Sequence, residues 1–199
     1  MTDLYQWIRP PLELAVRCPD CARDATFIYA SVAWIHKKAD REFFDKSPHF
    51  ECMSEEDYNG HLKHYAVYYH KLKSISIEAV GELPDGYSID DWAQGKHPTS
   101  VSALHARLNF GSTVCRHCGS RKKHQLDWPN DAWYQINHGD KILWAYDKSS
   151  AQNLRNFIAA KDRDIRQFRD GRFLMKIPSH FLNQKARDSV VKKLDRLLA

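Results

Sequence analysis

Cys18-Pro19-Asp20-Cys21 and Cys115-Arg116-His117-Cys118, the second followed by Gly119, are the stretches on which the fold turns. They hold four of the five cysteines; the fifth is Cys52. A gap of two residues lets the backbone wrap an ion so that both sulfurs reach it at about 2.3 Å. Glycine directly after the second pair suits the left-handed backbone that closes such a knuckle, because it has no Cβ to clash. Two knuckles supply four thiolates, the closed tetrahedral set of a structural Zn²⁺ site.

Two other uses of paired cysteines are weighed against this one. A disulfide framework belongs to secreted chains, and the opening Met1-Thr-Asp-Leu-Tyr-Gln-Trp-Ile-Arg-Pro has no charged segment leading into an apolar run, so no secretory signal and a cytoplasmic location are expected. A thioredoxin-like redox pair sits between a strand and a helix, whereas Ala22-Arg-Asp-Ala-Thr-Phe-Ile-Tyr-Ala-Ser-Val-Ala-Trp34 reads as a strand and a second pair would go unexplained. A structural zinc held by Cys18, Cys21, Cys115 and Cys118 is therefore the expected cofactor. The pairs are separated by 93 residues, far beyond the usual spacing of a compact finger, so the tertiary fold must bring them together.

In these residues the chain resembles a zinc ribbon, the rubredoxin-like pair of hairpins, over little more than residues 12–32 and 110–147. The resemblance implies a small antiparallel sheet, a four-cysteine zinc and a long insertion between the knuckles. It implies no particular activity, since zinc ribbons serve nucleic-acid binding, protein docking and plain stabilisation.

Outward from the knuckles, residues 11–17 lead in as a strand and residues 25–35 lead out. The stretch 37–50 has no clear pattern. Ser54 lies three residues before Asp57, and Tyr58, Leu62, Tyr65, Tyr69 and Leu72 recur at three- and four-residue intervals, which predicts an amphipathic helix over 55–73. Residues 74–80 alternate as a strand, Pro84-Asp85-Gly86 marks a turn, and 88–102 is a polar loop. Leu104 to Val114 approaches the second knuckle. Residues 135–137 and 141–146 flank His138-Gly139-Asp140 as a hairpin. Ser149 or Ser150 is expected to cap a helix bearing Leu154, Phe157 and Ile158. Phe173 to Ile177 reads as a short strand, and Pro178-Ser179 opens a last helix with Leu182, Ala186, Val190, Leu194 and Leu197 on its apolar stripe. The expected class is α+β: a small antiparallel zinc-ribbon sheet with an inserted helical segment and a C-terminal helical tail. The expected domains are a split ribbon core over 1–147 with an insertion at about 36–110, and a basic helical region over 148–199 packed on that core.

With 199 residues, 43% hydrophobic and 12% aromatic, the chain can build a core, and it contains no apolar run long enough for a membrane span. Its net charge of +5 is unevenly placed: from Asp147 onward there are 13 Lys and Arg against six Asp and Glu, and before it 17 against 19. Such asymmetry suggests nucleic acid or an acidic protein surface as partner, although Asp162, Asp164, Asp170, Asp188 and Asp195 interleave with the tail bases as on an ordinary solvated face. The compact cluster Arg116, Arg121, Lys122, Lys123 and His124 ranks above the tail as a binding site. Trp128, Trp133 and Trp144 read as core residues.

G-x-S-x-G, P-loop and H-E-x-x-H signatures are all missing. The alternative to a binding protein is a metal-dependent hydrolase or nuclease built on His61, His64 and nearby carboxylates, since two histidines three apart on a helix suit one metal. A third reading is a docking subunit that uses its last helix, residues 179–198. His117 is expected at the surface or behind the thiolates, and Cys52 as an unliganded thiol buried like a small hydrophobe.

Overall fold

The computed structural model describes residues 11–56, 59–73, 80, 82–88, 109–168 and 171–199. It is a mixed α+β fold. A four-stranded sheet has the order β1-β2-β6-β7, from β1 (Glu13–Arg17), β2 (Asp24–Tyr29), β6 (Phe110–Val114) and β7 (Arg121–Gln125). A three-stranded sheet has the order β3-β5-β4, from β3 (Ser31–Ile35), β4 (Phe50–Glu56) and β5 (Leu62–Tyr68), and β8 (Tyr134–His138) pairs with β9 (Lys141–Ala145). Helix α1 (Lys38–Lys46) precedes β4, and the tail carries α2 (Lys148–Ala159), a 3₁₀ turn (Ile165–Gln167), α3 (Gly171–Leu174), α4 (Ser179–Leu182) and α5 (Gln184–Leu198). The chain divides into two compact units, 1–26 with 127–199, and 27–126.

In the unit 27–126, the helix expected over 55–73 is instead a hairpin. Strands β4 and β5 pair antiparallel from Phe50↔Tyr68 to Glu56↔Leu62. Asn59-Gly60 precedes β5, and Gly60 has φ +81°, a left-handed turn conformation that would break a helix. The misleading periodicity has a physical source. Strand β5 is central and covered on both faces: Ala66 and Tyr68 pack with Ala33, Ile35, Phe44 and Phe50. Val67 lies on the other face with Val32, and Trp34, Tyr65, Tyr69 and Phe110 pack there. A strand buried on both sides loses the apolar–polar alternation and is hard to tell from a helical stripe. Ser54 does not cap a helix; it sits on β4 opposite His64. The helix of this segment is α1, in the stretch where no pattern was clear, and its Phe44 is fully buried. The strand expected over 74–80 and the loop over 88–102 fall, apart from Val80 and Ser88, outside the described residues.

In the unit 1–26 with 127–199, β1 is tied to the later chain by Ala15 N donating to Tyr146 O (2.7 Å), Trp133 N to Ala15 O (3.0 Å) and Arg17 N to Asp131 O (2.8 Å). The β8–β9 hairpin turns at Gly139-Asp140, as the sequence indicates. Trp144 is fully buried, with Trp128 edge-on at 5.1 Å and Tyr146 and Phe173 at 5.1 and 5.5 Å. Trp128 is buried as well, and Trp133 is half-buried.

Helix α2 is capped by Asp147 rather than by Ser149 or Ser150. The Asp147 carboxylate accepts from Ser150 N at 2.7 Å, while the Ser150 hydroxyl accepts from Asp147 N at 2.9 Å, a reciprocal capping box. At its other end, Arg163 donates to Phe157 O and Ile158 O (3.3 and 3.2 Å), satisfying carbonyls that have no partner within the helix. The strand expected over 173–177 is not formed; Phe173 and Leu174 belong to α3 and are buried. The last helix is interrupted at Asn183, whose side chain accepts from Ala186 N at 2.8 Å and starts α5 afresh. The apolar stripe is as expected, with Ala186, Val190 and Leu194 buried.

Candidate metal centre

The two cysteine pairs are built alike. The first joins β1 to β2 and the second joins β6 to β7. In the first, Cys18 N donates to Arg23 O (2.7 Å) and Ala22 N to Cys18 O (2.9 Å); in the second, Cys115 N donates to Ser120 O (2.9 Å) and Gly119 N to Cys115 O (3.1 Å). The residue after each pair is left-handed, Ala22 at φ 57° and Gly119 at φ 73°. The leading cysteine of each pair, Cys18 and Cys115, is buried at 2% exposure, while Cys21 is half-buried and Cys118 exposed. Asp20 N points at Cys18 Sγ at 3.4 Å, the kind of amide contact that softens a thiolate's charge.

The four sulfurs lie within 4.8 Å of one another. Four Zn–S bonds of about 2.3 Å in a tetrahedron require sulfurs about 3.8 Å apart, so the set needs at most a small contraction to hold a metal. It is the one such group among the described residues.

The equivalence of the knuckles gives a modest prediction. Gly119→Ala introduces a Cβ with nothing within 4 Å, so only the left-handed backbone opposes it. That costs about 1–2 kcal/mol. Ala22 already carries a side chain in this conformation, so the variant is expected to keep its metal and lose only that much stability in urea denaturation.

The expected pairing of His61 with His64 does not occur on a helix face. His64 is on β5, and His61 is exposed in the segment before it. Arg41 Nη1 lies 3.1 Å from His64 Nε2 and Ser54 Oγ lies 2.7 Å from His64 Nδ1. Arginine only donates, so Nε2 is the acceptor and Nδ1 carries the proton toward Ser54. In that tautomer His64 neither activates Ser54 nor offers Nε2 to a metal. Cys52 is half-buried on β4, and burial together with the neighbouring Asp45 carboxylate pushes its thiol up to about 12, so it stays protonated. His117 is exposed at the tip of the second knuckle.

Of the basic cluster, Arg116 lies on the knuckle and the other four on β7. Strand alternation divides those four. Arg121 and Lys123 are exposed, whereas Lys122 and His124 are half-buried, with His124 edge-on to Phe27 at 6.0 Å. Strand β7 is an edge of its sheet, and lysine there also discourages pairing with another chain. Lys123 is ion-paired with Glu51 and lies over the Tyr69 ring, 4.8 Å from its centre. Burial and Glu51 push the Tyr69 phenol up to about 12. These groups border a cleft of about 80 Å³ that also takes in His49, Phe50 and Lys73. Nothing in the sequence pairs Glu51 with Lys123, since the pairing depends on the β4–β5 hairpin.

In the tail, several bases are committed to the fold. Arg155 is bidentate to Asp195 (2.7 and 3.3 Å), and Arg166 pairs with Asp164 at 2.9 Å. Lys193 donates to Asn137 O. No helix among the described residues is long and apolar enough to cross a membrane.

The fold and these four cysteines define a zinc-ribbon-like arrangement: two knuckles on strand pairs, able to hold one metal. No protein family, no curated protein and no solved structure matches the chain in sequence or fold comparison.

Proposed function

We propose that Cys18, Cys21, Cys115 and Cys118 hold one structural Zn²⁺, and that the protein is a zinc-braced binding module whose second knuckle and β7 edge contact nucleic acid. The observation that carries the zinc reading is the sulfur set, within 4.8 Å, on two knuckles with matching hydrogen bonds. A set of four soft thiolates suits zinc and leaves no open position for chemistry at the ion. The binding half is supported by the exposed Arg116 and Arg121 and by Lys122, Lys123 and His124 beside them, with Tyr69 and Phe50 close to Lys123. Cations that track a phosphate backbone next to aromatic rings that stack a base are the usual means of holding a single strand.

Metal analysis of the purified protein is expected to give one zinc per chain; a chain that folds fully without metal overturns the zinc reading. Fluorescence anisotropy with a labelled single-stranded oligonucleotide is expected to show binding that weakens steeply with salt. Arg121→Ala is expected to lower the slope of log affinity against log salt by about 0.7, the share of one phosphate contact on a single strand. No binding at low salt, or a slope unmoved by Arg121→Ala and Lys122→Ala together, overturns the nucleic-acid reading.

A further inference from the structure

Arg163 and Arg187, in the tail, are both half-buried, unlike the exposed Arg166 and Arg196. Arg163 places Nε on Phe157 O and Nη2 on Ile158 O and Leu182 O (2.9 Å), which leaves Nη1 as its unused nitrogen. Leu182 immediately precedes the N-cap Asn183, and Arg187 N donates to Asn183 O at 3.0 Å. Residues just before a cap and four positions into the helix are neighbours in space, so the Arg163 head, fixed on Leu182 O, lies beside Arg187.

Neither guanidinium has a carboxylate within ion-pair distance among the described residues. The first turn of α5 contains no acidic residue, and Asp188, next along the helix from Arg187, faces away from it. Arg187 Nε is buried without an acceptor among the described residues. Two half-buried like charges with unsatisfied N–H groups are unfavourable as they stand. Burial, together with the field of Arg187, holds the Arg163 guanidinium below its ordinary pKa. By contrast, Arg155 and Arg166 each have their own aspartate.

We propose that Arg163 and Arg187 form an oxyanion site that takes a phosphate group. The planar forks of two guanidiniums match phosphate oxygens better than lysine would, and an anion between them offsets their repulsion. Arg163 is fastened to three carbonyls and acts as the fixed side of the site; Arg187, whose Nε has no acceptor among the described residues, is the side that adjusts. The group is either free phosphate or a phosphodiester. The proposal does not depend on the zinc reading.

The direct probe is the Nε–Hε resonance of Arg187 in ¹⁵N-labelled protein, titrated with inorganic phosphate against chloride at constant ionic strength. A saturable shift is expected, with Arg187→Gln weakening phosphate at least tenfold and Arg187→Lys restoring only part of that loss. Arg163 is not the residue to replace, because its contacts hold α2 and α4. A parallel titration with a single-stranded oligonucleotide separates the sources: a shift with phosphate alone assigns a free or small phosphorylated ligand, and a shift with oligonucleotide assigns a backbone phosphate. An Arg187 resonance that neither probe moves overturns the proposal, as does Arg187→Gln binding phosphate as tightly as the parent chain.

Discussion

Replacing Cys115 with serine is expected to abolish metal binding and unfold the region around both knuckles. A structural zinc contributes apparent free energy of about 10–16 kcal/mol at neutral pH in small peptides. That is comparable to the whole stability of an ordinary domain, about 5–15 kcal/mol, so no substitution outside the four cysteines should match it. Cys115 is the severe choice because it is 2% exposed and sits where β6 ends, so a serine there leaves a poor ligand in a dry place. Metal content by plasma emission and thermal unfolding by circular dichroism check the result. Cys52→Ser is the control: it changes a protonated, half-buried thiol on β4 outside the sulfur set, and full zinc is expected to remain. Because the cysteine thiols must lose their protons to bind, mild acid should release the metal from the parent chain and reproduce the phenotype of Cys115→Ser. A Cys115→Ser chain with one zinc and unchanged melting would show that the four sulfurs do not act together.

The sulfur set was legible because its chemistry is written in local spacing: two Cys-x-x-Cys pairs specify two knuckles whatever lies between them. Strands β1, β2, β8 and β9 were legible for a similar reason, each lying next to a tight turn or knuckle that fixes where it begins and ends. What could not be read was settled by tertiary cover. Strand β5 is buried on both faces, and Tyr58, Leu62, Tyr65, Tyr69 and Leu72 in and around it give a helical count that Asn59-Gly60 contradicts. Asp147 is masked as a cap by the two serines that follow it, although one of them, Ser150, completes the box. The basic cluster is compact in sequence, whereas a strand sends alternate residues to opposite faces, and Lys123 pairs with a carboxylate 72 residues away.

The largest effect the sequence does not announce is expected at Gly111. It lies on β6 opposite His124 and looks like one more small residue on the way to Cys115. A Cβ built there falls 2.1 Å from Ile28 O, 2.7 Å from Phe27 Cζ and 2.9 Å from Ile28 C. Two of these are backbone atoms of the neighbouring strand β2, and Phe27 is fully buried, with Tyr29 edge-on at 5.0 Å and His124 edge-on at 6.0 Å. Neither the carbonyl nor the ring can withdraw without moving the sheet. Gly111→Ala is therefore expected to cost about 3 kcal/mol or more, at or beyond the upper end of overpacking by a single methyl. For a chain of this size that lowers Tm by roughly 6–12 °C, with the urea midpoint falling and its slope unchanged. The comparison with Gly119→Ala makes the cause specific. Both substitutions add the same methyl group, but at Gly119 the space is open and only backbone conformation opposes it, whereas at Gly111 space itself is lacking. If the two variants lose equal stability, β2 and β6 do not approach as closely as described. If Gly111→Ala is the worse by about 1 kcal/mol or more, with zinc content unchanged, the narrow spacing of those strands is what the glycine secures.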